Sequence, residues 1–443
     1  MAELLSSRSI ESALTQYHNP PHIYIGYSGG IDSHVLLHLC ASMAHLKEKI
    51  TAVYVHHGLQ LEADAWAEHC KKTATGLGVD FKVIRVDAIA SQGESPEEVA
   101  RNARYTALRT LIETDDLLLV AQHREDQLET VLLQLFRGSG LSGLSAMPAF
   151  MNFGKGVLLR PLLDTPKIAV EDYAKLHALS WIEDPSNQNN NFNRNFLRNA
   201  IVPLLKQRWP ACDKTVARSA GHCAEAQLLL SEQAKKLFLP ILNGLDETLS
   251  ISQLIEYSLT QQRLVIREWF QMLNLKMPSQ AFIERVQSDV ISARPDSDPL
   301  LSGKGYCIRR YRDKLYCLKV GEAEKIVAST WPKMQISFSF SAGQALYFMP
   351  SSAGICYDKW QKSTVVVKVR SGGEKISLPG RKGHHDLKQL FQEAGIAPWE
   401  RAGIPLIYLD DKLAVVGDLW ISADFYSEKE QCCISFFLRK EAS

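Results

Sequence analysis

The 443-residue chain has no apolar run long enough to cross a bilayer; its longest, such as Leu117 to Ala121, fall far short of the roughly 18 residues a membrane helix needs. The N-terminal stretch MAELLSSRSIESALTQ lacks a basic start followed by an apolar core, so no secretory leader is expected, and a soluble, cytoplasmic protein is. Cysteine occurs at nine positions (40, 70, 212, 223, 307, 317, 356, 432 and 433), yet no two of them form a C-x-x-C pair. An odd count without framework spacing fits reduced thiols and excludes a disulfide scaffold; it also offers no zinc or iron–sulfur ligand set. An excess of charge of one sign is missing as well. With 50 basic against 49 acidic side chains the balance is +1, so an RNA partner must be met by local patches and not by a global field. Gly and Pro, at 26 and 18, are too few for a collagenous or low-complexity chain, and no internal repeat is visible.

What is present is a globular composition, 46% hydrophobic and 22% charged, over a length that suggests about three domains of roughly 150 residues. In the first part apolar β-type runs alternate with helical periods. Ile23 to Ile25 precedes HVLLHLCASMAHL; Thr51 to Val55 precedes a helical stretch over Ala63 to Thr75; Phe81 to Val86 precedes SPEEVARNARYTALRTLIE; Leu117 to Val120 feeds the helix of HREDQLETVLLQLF. This alternation predicts an α/β, Rossmann-like domain over residues 1–215, with a parallel sheet covered on both faces. From Cys212 to Asp296 helix follows helix, and YCIRRYRDKLYCLKV reads as two strands around a turn, so residues 216–321 are expected to form a mainly helical substrate-binding domain. Polar 321–330 is the linker candidate. The runs TVVVKVR, KLAVVGDLWIS and CCISFFLRK around the helical HHDLKQLFQEAG predict a small α+β domain over 330–443.

The sharpest local signal is Ser28-Gly29-Gly30-Ile31-Asp32-Ser33, between the first strand and its helix. Adjacent glycines let the backbone approach an anion, and the helix that follows offers unpaired N–H groups and the positive end of its dipole. Ser28 and Ser33 add hydroxyl donors. Asp32 would repel phosphate unless a cation bridges the two, which points to a magnesium–polyphosphate site. The pattern lacks the Gly-Lys-Ser/Thr ending of a Walker loop and the third glycine of a dinucleotide turn. The bland alternative is a capped tight turn. A second constellation, Gln122 to Thr130, follows the fourth strand. Residues three apart share a helix face, so His123, Asp126 and Glu129 form one polar stripe at the C-terminal end of the parallel sheet. Carboxylates there suit Mg²⁺ or a cationic amine, and His123 is a candidate proton acceptor. The alternative here is a solvated helix face.

The first loop resembles the pyrophosphate loop of the N-type ATP pyrophosphatases, the PP-loop superfamily. That likeness implies ATP bound by Ser28, Gly29, Gly30, Ile31, Asp32 and Ser33 and cut between its α and β phosphates. The end of the second strand, Val55-His56-His57-Gly58, lies where such enzymes hold adenine and ribose, with His56 as an ATP contact. Further stretches narrow the resemblance: Arg137-Gly138-Ser139-Gly140 with Leu141 and Gly143; Arg160-Pro161-Leu162-Leu163; Trp181 to Asn187 leading into Phe192 to Arg198; Arg370-Ser371-Gly372-Gly373; and FQEAGIAPWER at 391–401. Together they resemble the tRNA(Ile)-lysidine synthase family, although Gln122 stands where a common family variant carries a histidine. The resemblance implies an ATP-dependent carbon–nitrogen ligase. It joins free L-lysine to C2 of the wobble cytidine (position 34) in the CAU anticodon of tRNA(Ile), through an adenylated cytidine, releasing AMP and pyrophosphate and changing codon reading from AUG to AUA. In this scheme ATP and Mg²⁺ are the cofactors, and Asp32 and Asp126 are the metal candidates. His123, Asp126 and Glu129 are catalytic, and Arg104, on ARNARY, stabilises phosphate charge.

Between Phe192 and His222, six cations (Arg194, Arg198, Lys206, Arg208, Lys214 and Arg218) stand against Asp213 alone, interleaved with Phe192, Phe196 and Trp209. Cations neutralise phosphates while aromatic faces stack on unpaired bases, so Arg194, Arg198 and Arg208 are expected to contact tRNA. A second basic stretch, 361–391, adds Arg370 and Lys388; with Arg401 these form the expected grip of the last domain, which the resemblance assigns to the acceptor arm. Two rival functions fit parts of the sequence. A tRNA thiolase on the same scaffold needs reactive cysteines, which neither constellation contains. A non-catalytic RNA-binding protein with a relic loop would have little reason to keep Asp32, Asp126 and Glu129. Monomer and homodimer both stay open.

Overall fold

Ile23–Gly26 (β1) lies near the middle of a six-stranded sheet in the first of two units, Met1–Ala234 and Lys235–Ser443, into which the chain divides. The computed structural model describes residues 5–17, 20–58, 62–87, 96–294, 297–320, 328–332, 335–341, 344–428 and 432–440. The other strands of this sheet are β2 (Ile50–His56), β3 (Asp80–Arg85), β4 (Leu117–Leu119), β5 (Phe150–Phe153) and β6 (Gly156–Leu159), in the order β3-β2-β1-β4-β6-β5. All neighbours run parallel except the β5–β6 hairpin, which the sequence reading did not foresee.

Six helices accompany the first four strands: α1 (Ser7–Leu14), α2 (Ile31–Ala41), α3 (Ala44–Lys47), α4 (Ala63–Gly76), α5 (Pro96–Arg109) and α6 (Arg124–Phe136). Side chains alternate across a strand, so each sheet face feeds its own core. Ile23, Ile25, Ala52, Leu117 and Leu119 pack with Val35 and Leu39 of α2 on one side. Val53, Leu118 and Leu158 pack with Leu108 of α5 on the other. Burial on both faces explains why these strands read as unbroken apolar runs. The chain builds outward from β1 through β2 to β3, then returns to place β4 on the other flank of β1. Strand order therefore reverses between β1 and β4, and the loops leaving both strands open into the crevice that such a reversal creates.

The second unit begins with the expected helical region and adds short strands to it. Its first part holds the helices Ile251–Ile255, Leu259–Met272 and Gln280–Arg285. They accompany an antiparallel sheet of β7 (Leu242–Asn243), β8 (Thr248–Ser250), β9 (Leu300–Ser302), β10 (Tyr306–Tyr311) and β11 (Lys314–Lys319), in the order β7-β8-β11-β10-β9. The β10–β11 hairpin was legible. The two- and three-residue strands that extend it carry no period of their own and exist by pairing with it. The last part is the expected α+β arrangement, with two five-stranded antiparallel sheets whose cores centre on Trp331 and Trp360. Of the expected linker 321–330, residues 321–327 lie outside the described residues, and Ser329–Thr330 is a strand. Among the described residues no helix is long and apolar enough to cross a membrane.

Candidate active site

The turn after β1 is shaped by one glycine. Gly29 has φ +83°, and a Cβ there would lie 2.7 Å from Ile182 Cδ1 and 2.9 Å from Cys70 Sγ, so neither the conformation nor the space admits a side chain. Its carbonyl accepts a hydrogen bond from Ile182 N–H at 2.9 Å, and His34 Nδ1 lies 2.8 Å from the Ser180 carbonyl, which ties the turn to the 180–182 segment. Ser33 Oγ donates to the Gly30 carbonyl (3.0 Å) and accepts from Ser28 N–H (3.2 Å), closing the loop on the first turn of α2. Ile31 opens α2 and packs against the core below.

Above this turn lies a cavity of about 600 Å³, lined by Ser28, Gly30, Asp32 and Ser33 on one side and by Gln122 and Asp126 on the other, with His57 and Arg104 at its β2 end. That volume suits a small-molecule ligand. The donor set suits ATP: backbone N–H groups at a helix N-terminus, serine hydroxyls and arginines within one concavity. Asp32 Oδ1 is buried and takes no hydrogen bond from any described residue, and burial lifts this carboxyl above its ordinary range against the pull of His123. A buried carboxylate oxygen that takes no hydrogen bond, beside a phosphate loop, fits a cation ligand. Among the described residues there is no group of three or more His, Cys, Asp or Glu that could hold a metal.

Across the cavity, His123 sits at the N-terminal end of α6, and its backbone N–H donates to Asp126 Oδ2 at 3.0 Å. The anticipated polar stripe is present, but it is buried: His123, Asp126 and Glu129 are 2%, 8% and 1% exposed. Burial of charge is tolerable only when each charge is paired, and the partners come from far along the chain. Arg194 Nε and Arg198 Nε donate to the two oxygens of Glu129 at 2.7 Å each, and both Nη2 atoms reach Asp126 Oδ1, at 3.2 and 3.0 Å. Lys206 Nζ pairs with Glu125 at 2.5 Å. His123 faces three carboxylates: Nδ1 lies 3.4 Å from Glu125, and Nε2 lies 3.5 Å from Asp126 and 3.7 Å from Asp32. Burial alone would lower its pKa, but these carboxylates outweigh burial and raise it. Both ring nitrogens thus face acceptors, which favours an imidazolium over the proton acceptor expected from the sequence.

The geometry revises several expectations. Arg194 and Arg198 do share a helical face, yet that face points to Glu129 and Asp126 and not to open solvent, because two buried carboxylates need neutralising. Asp126 has both oxygens occupied, so in this arrangement it does not fit a metal ligand as Asp32 does. His56 is not among the cavity-lining residues; it is 7% exposed, with Nε2 3.3 Å from Asp64 and Nδ1 accepting from Gly58 N–H. His57 lines the cavity instead. Arg104 Nε and Nη2 lie 3.3 and 3.2 Å from His57 Nε2, which leaves the ring proton on Nδ1, and burial with the nearby Arg104 pushes this histidine down to about 4. Arg104 thus reaches the cavity while bonded to a neutral histidine.

Comparison with known proteins bears on this site. The PP-loop domain profile matches residues 3–205, the TilS substrate-binding domain 249–316 and the TilS substrate C-terminal domain 365–437. The tRNA(Ile)-lysidine synthase of Methylococcus capsulatus is 37% identical over 429 residues, covering 96% of this chain and 97% of that one. That of Coxiella burnetii is 38% identical over 421 residues, covering 92% and 91%. The chain belongs to the tRNA(Ile)-lysidine synthase family. As a member of that family it is an ATP-dependent ligase, and the Ser28–Ser33 turn lies in the part matched by the PP-loop profile.

Sequence reasoning missed Asp184, Ser186, Asn187 and Asn195 as cavity-lining residues, although they fall in the stretch that carried the lysidine synthase resemblance. Outside the cavity, Arg208 is exposed beside Trp209, its guanidinium 5.9 Å from the ring. Lys388 is exposed, and Arg370 pairs with Glu374 at 3.4 Å; both line a hollow of about 270 Å³. Arg401 is a correction. It is 8% exposed, with Nε donating to the Ile396 carbonyl at 2.9 Å and Nη2 to Tyr311 OH at 3.2 Å, so its donors face protein and not a nucleic-acid surface.

Proposed function

We propose that the enzyme ligates free L-lysine to C2 of the wobble cytidine (position 34) of tRNA(Ile) bearing a CAU anticodon. The cytidine oxygen first attacks the α phosphate of ATP and pyrophosphate leaves. The ε-amine of lysine then displaces AMP, giving lysidine and changing codon reading from AUG to AUA. The observation that carries this reading is one cavity walled by a glycine turn at a helix N-terminus and, opposite, by an acidic cluster whose charges are matched by arginines. Such a cavity suits a reaction in which a polyphosphate and a cationic amine meet at one centre.

Each residue then has a task. Ser28, Gly29, Gly30 and Ser33 cradle the departing pyrophosphate, and His57 with Arg104 holds the nucleoside end. Asp32 would hold Mg²⁺, which would neutralise charge on the polyphosphate. The lysine side chain, with a pKa of about 10.4 in water, must enter as a cation and lose a proton before attack. Asp126 and Glu129 receive its ammonium by exchanging it for the Arg194 or Arg198 contacts, the carboxylate that holds it takes the proton as the amine attacks, and the released guanidinium turns to the phosphates. His123 keeps the carboxylates oriented. Arg208, Arg370 and Lys388 contact tRNA phosphates, which position the RNA without reading its sequence. The matched segments support the division 1–215, 216–321 and 330–443.

Incubation of the purified protein with ATP, radiolabelled lysine and tRNA(Ile) tests the reading. Label should enter the RNA, and pyrophosphate release should require both lysine and tRNA; release that ignores lysine rejects it. Asp126→Ala should abolish incorporation while leaving tRNA binding nearly intact.

A further inference from the structure

The FQEAGIAPWER stretch, 391–401, ends on Arg401, which is buried in protein contacts where a nucleic-acid surface was expected. It forms the C-terminal end of the helix Leu387–Glu393, a turn, and the helix Pro398–Arg401. On one side it packs into the terminal part's own core, with Phe391 5.3 Å from Trp420, and on the other it meets the β10–β11 hairpin. Trp399 takes the Arg309 guanidinium 4.9 Å from its ring centroid, and its edge-to-face neighbours are Tyr316 at 5.1 Å and Tyr311 at 6.2 Å. Arg401 bonds Tyr311 OH at 3.2 Å, and its guanidinium lies 5.9 Å from that ring. Arg312, at the hairpin tip with φ +52°, donates to the Gln392 carbonyl at the end of the helix, and a Cβ on Gly395 would stand 2.8 Å from Arg312 Nη1. Aromatic edge-to-face pairs and cation–π contacts are directional, so this junction fixes an angle as well as a distance.

We propose that the Trp399–Arg401 segment and the β10–β11 hairpin form a strut that sets the spacing between the substrate-binding part and the terminal part of the second unit, so that one rigid RNA meets both at once. The inference rests on the tRNA reading above. Two modest binding surfaces held at the span of their ligand act as one strong site, because the second contact forms at high effective concentration; the gain vanishes when the span is wrong. Trp399 and Tyr311 are positioning residues in this scheme and touch no RNA.

The test compares Trp399→Ala, and Trp399→Phe as the conservative variant, with the parent protein on three RNAs: full-length tRNA(Ile), its isolated anticodon stem-loop and its isolated acceptor-arm helix. Trp399→Ala should weaken full-length binding roughly 10-fold or more while the two fragments bind as before, and Trp399→Phe should restore most of the loss. A parallel loss on all three RNAs reduces the junction to a fold-stabilising contact and overturns the strut, as does unchanged full-length binding. Parent protein that binds none of the three RNAs removes the tRNA reading, and the strut with it.

Discussion

Two turns in this chain share the pattern Ser-Gly-Gly followed closely by an acid, and they do opposite things. At Ser28-Gly29-Gly30-Ile31-Asp32 the turn leads straight into α2, and Asp32 Oδ1 takes no hydrogen bond from it, with His123 Nε2 3.7 Å away across the cavity. At Ser371-Gly372-Gly373-Glu374 the acid folds back: its Oε1 accepts from Ser371 N–H at 2.5 Å and Gly372 N–H at 2.8 Å, while Oε2 lies 3.4 Å from Arg370 Nε. A strand, Lys375–Ser377, follows in place of a helix. The second turn has consumed its own anion site. A glycine-rich turn is therefore a phosphate cradle only when a helix supplies further N–H groups and the nearby acid points away.

Carboxylate removal separates the two turns most sharply. Asp32→Ala should lower kcat for lysine incorporation roughly 1,000-fold with little change in melting temperature, since it removes charge organisation at the reacting phosphates. Glu374→Ala should do the reverse, costing about 1–2 kcal/mol of stability in denaturant melts while kcat stays put. Equal effects on kcat would erase the distinction between the turns. The glycines come next. Gly29→Ala meets Ile182 and Cys70 and should reduce kcat/KM for ATP about 100-fold by displacing the loop. Gly372, at φ +99° but with nothing within 4 Å of a new Cβ, should lose only about 1–2 kcal/mol on conversion to alanine, with ATP kinetics intact.

Smaller effects probe the buried charges facing the first turn. Arg198→Ala leaves Glu129 with Arg194 alone and should destabilise the fold by about 2–3 kcal/mol, seen as a lower midpoint in urea. Glu125 gives a pH signature. Burial would raise its pKa, but His123, Lys206 and the Lys167 N–H outweigh burial and hold it at about 2. A carboxyl depressed in the folded state contributes stability above its unfolded pKa, near 4.5, and loses it as pH falls toward 2. Melting temperature should thus fall less steeply between pH 5 and 2 in Glu125→Gln than in the parent; matching slopes would remove Glu125 from the account.

Much of the first unit could be read in advance because its information is local. β1, β2 and β4 are continuous apolar runs, each followed, like the mixed edge strand β3, by a helical period, and the Ser28–Ser33 turn declares itself by composition between them. The β5–β6 hairpin escaped notice because β6 exists by pairing with β4 and β5 by pairing with β6, which no local period records. Within the site, Asp32, Asp126 and His123 were legible as chemistry. The choice of His57 over His56 at the cavity was not, because the two straddle the end of β2 and only the packed structure shows which of them turns to the crevice.

The residue order alone determined the alternating βα architecture, the phosphate-loop turn and the acidic helix start, all set by contacts within a few residues. Tertiary structure decided the rest. Arg194 and Arg198 look like free cations until folding brings them 65 to 72 residues back along the chain onto Glu129 and Asp126. Arg401 looks like a phosphate ligand until Tyr311, 90 residues away, takes its donors. A charged side chain's role depends on which opposite charge or acceptor it meets after burial, and sequence spacing carries no record of that distance.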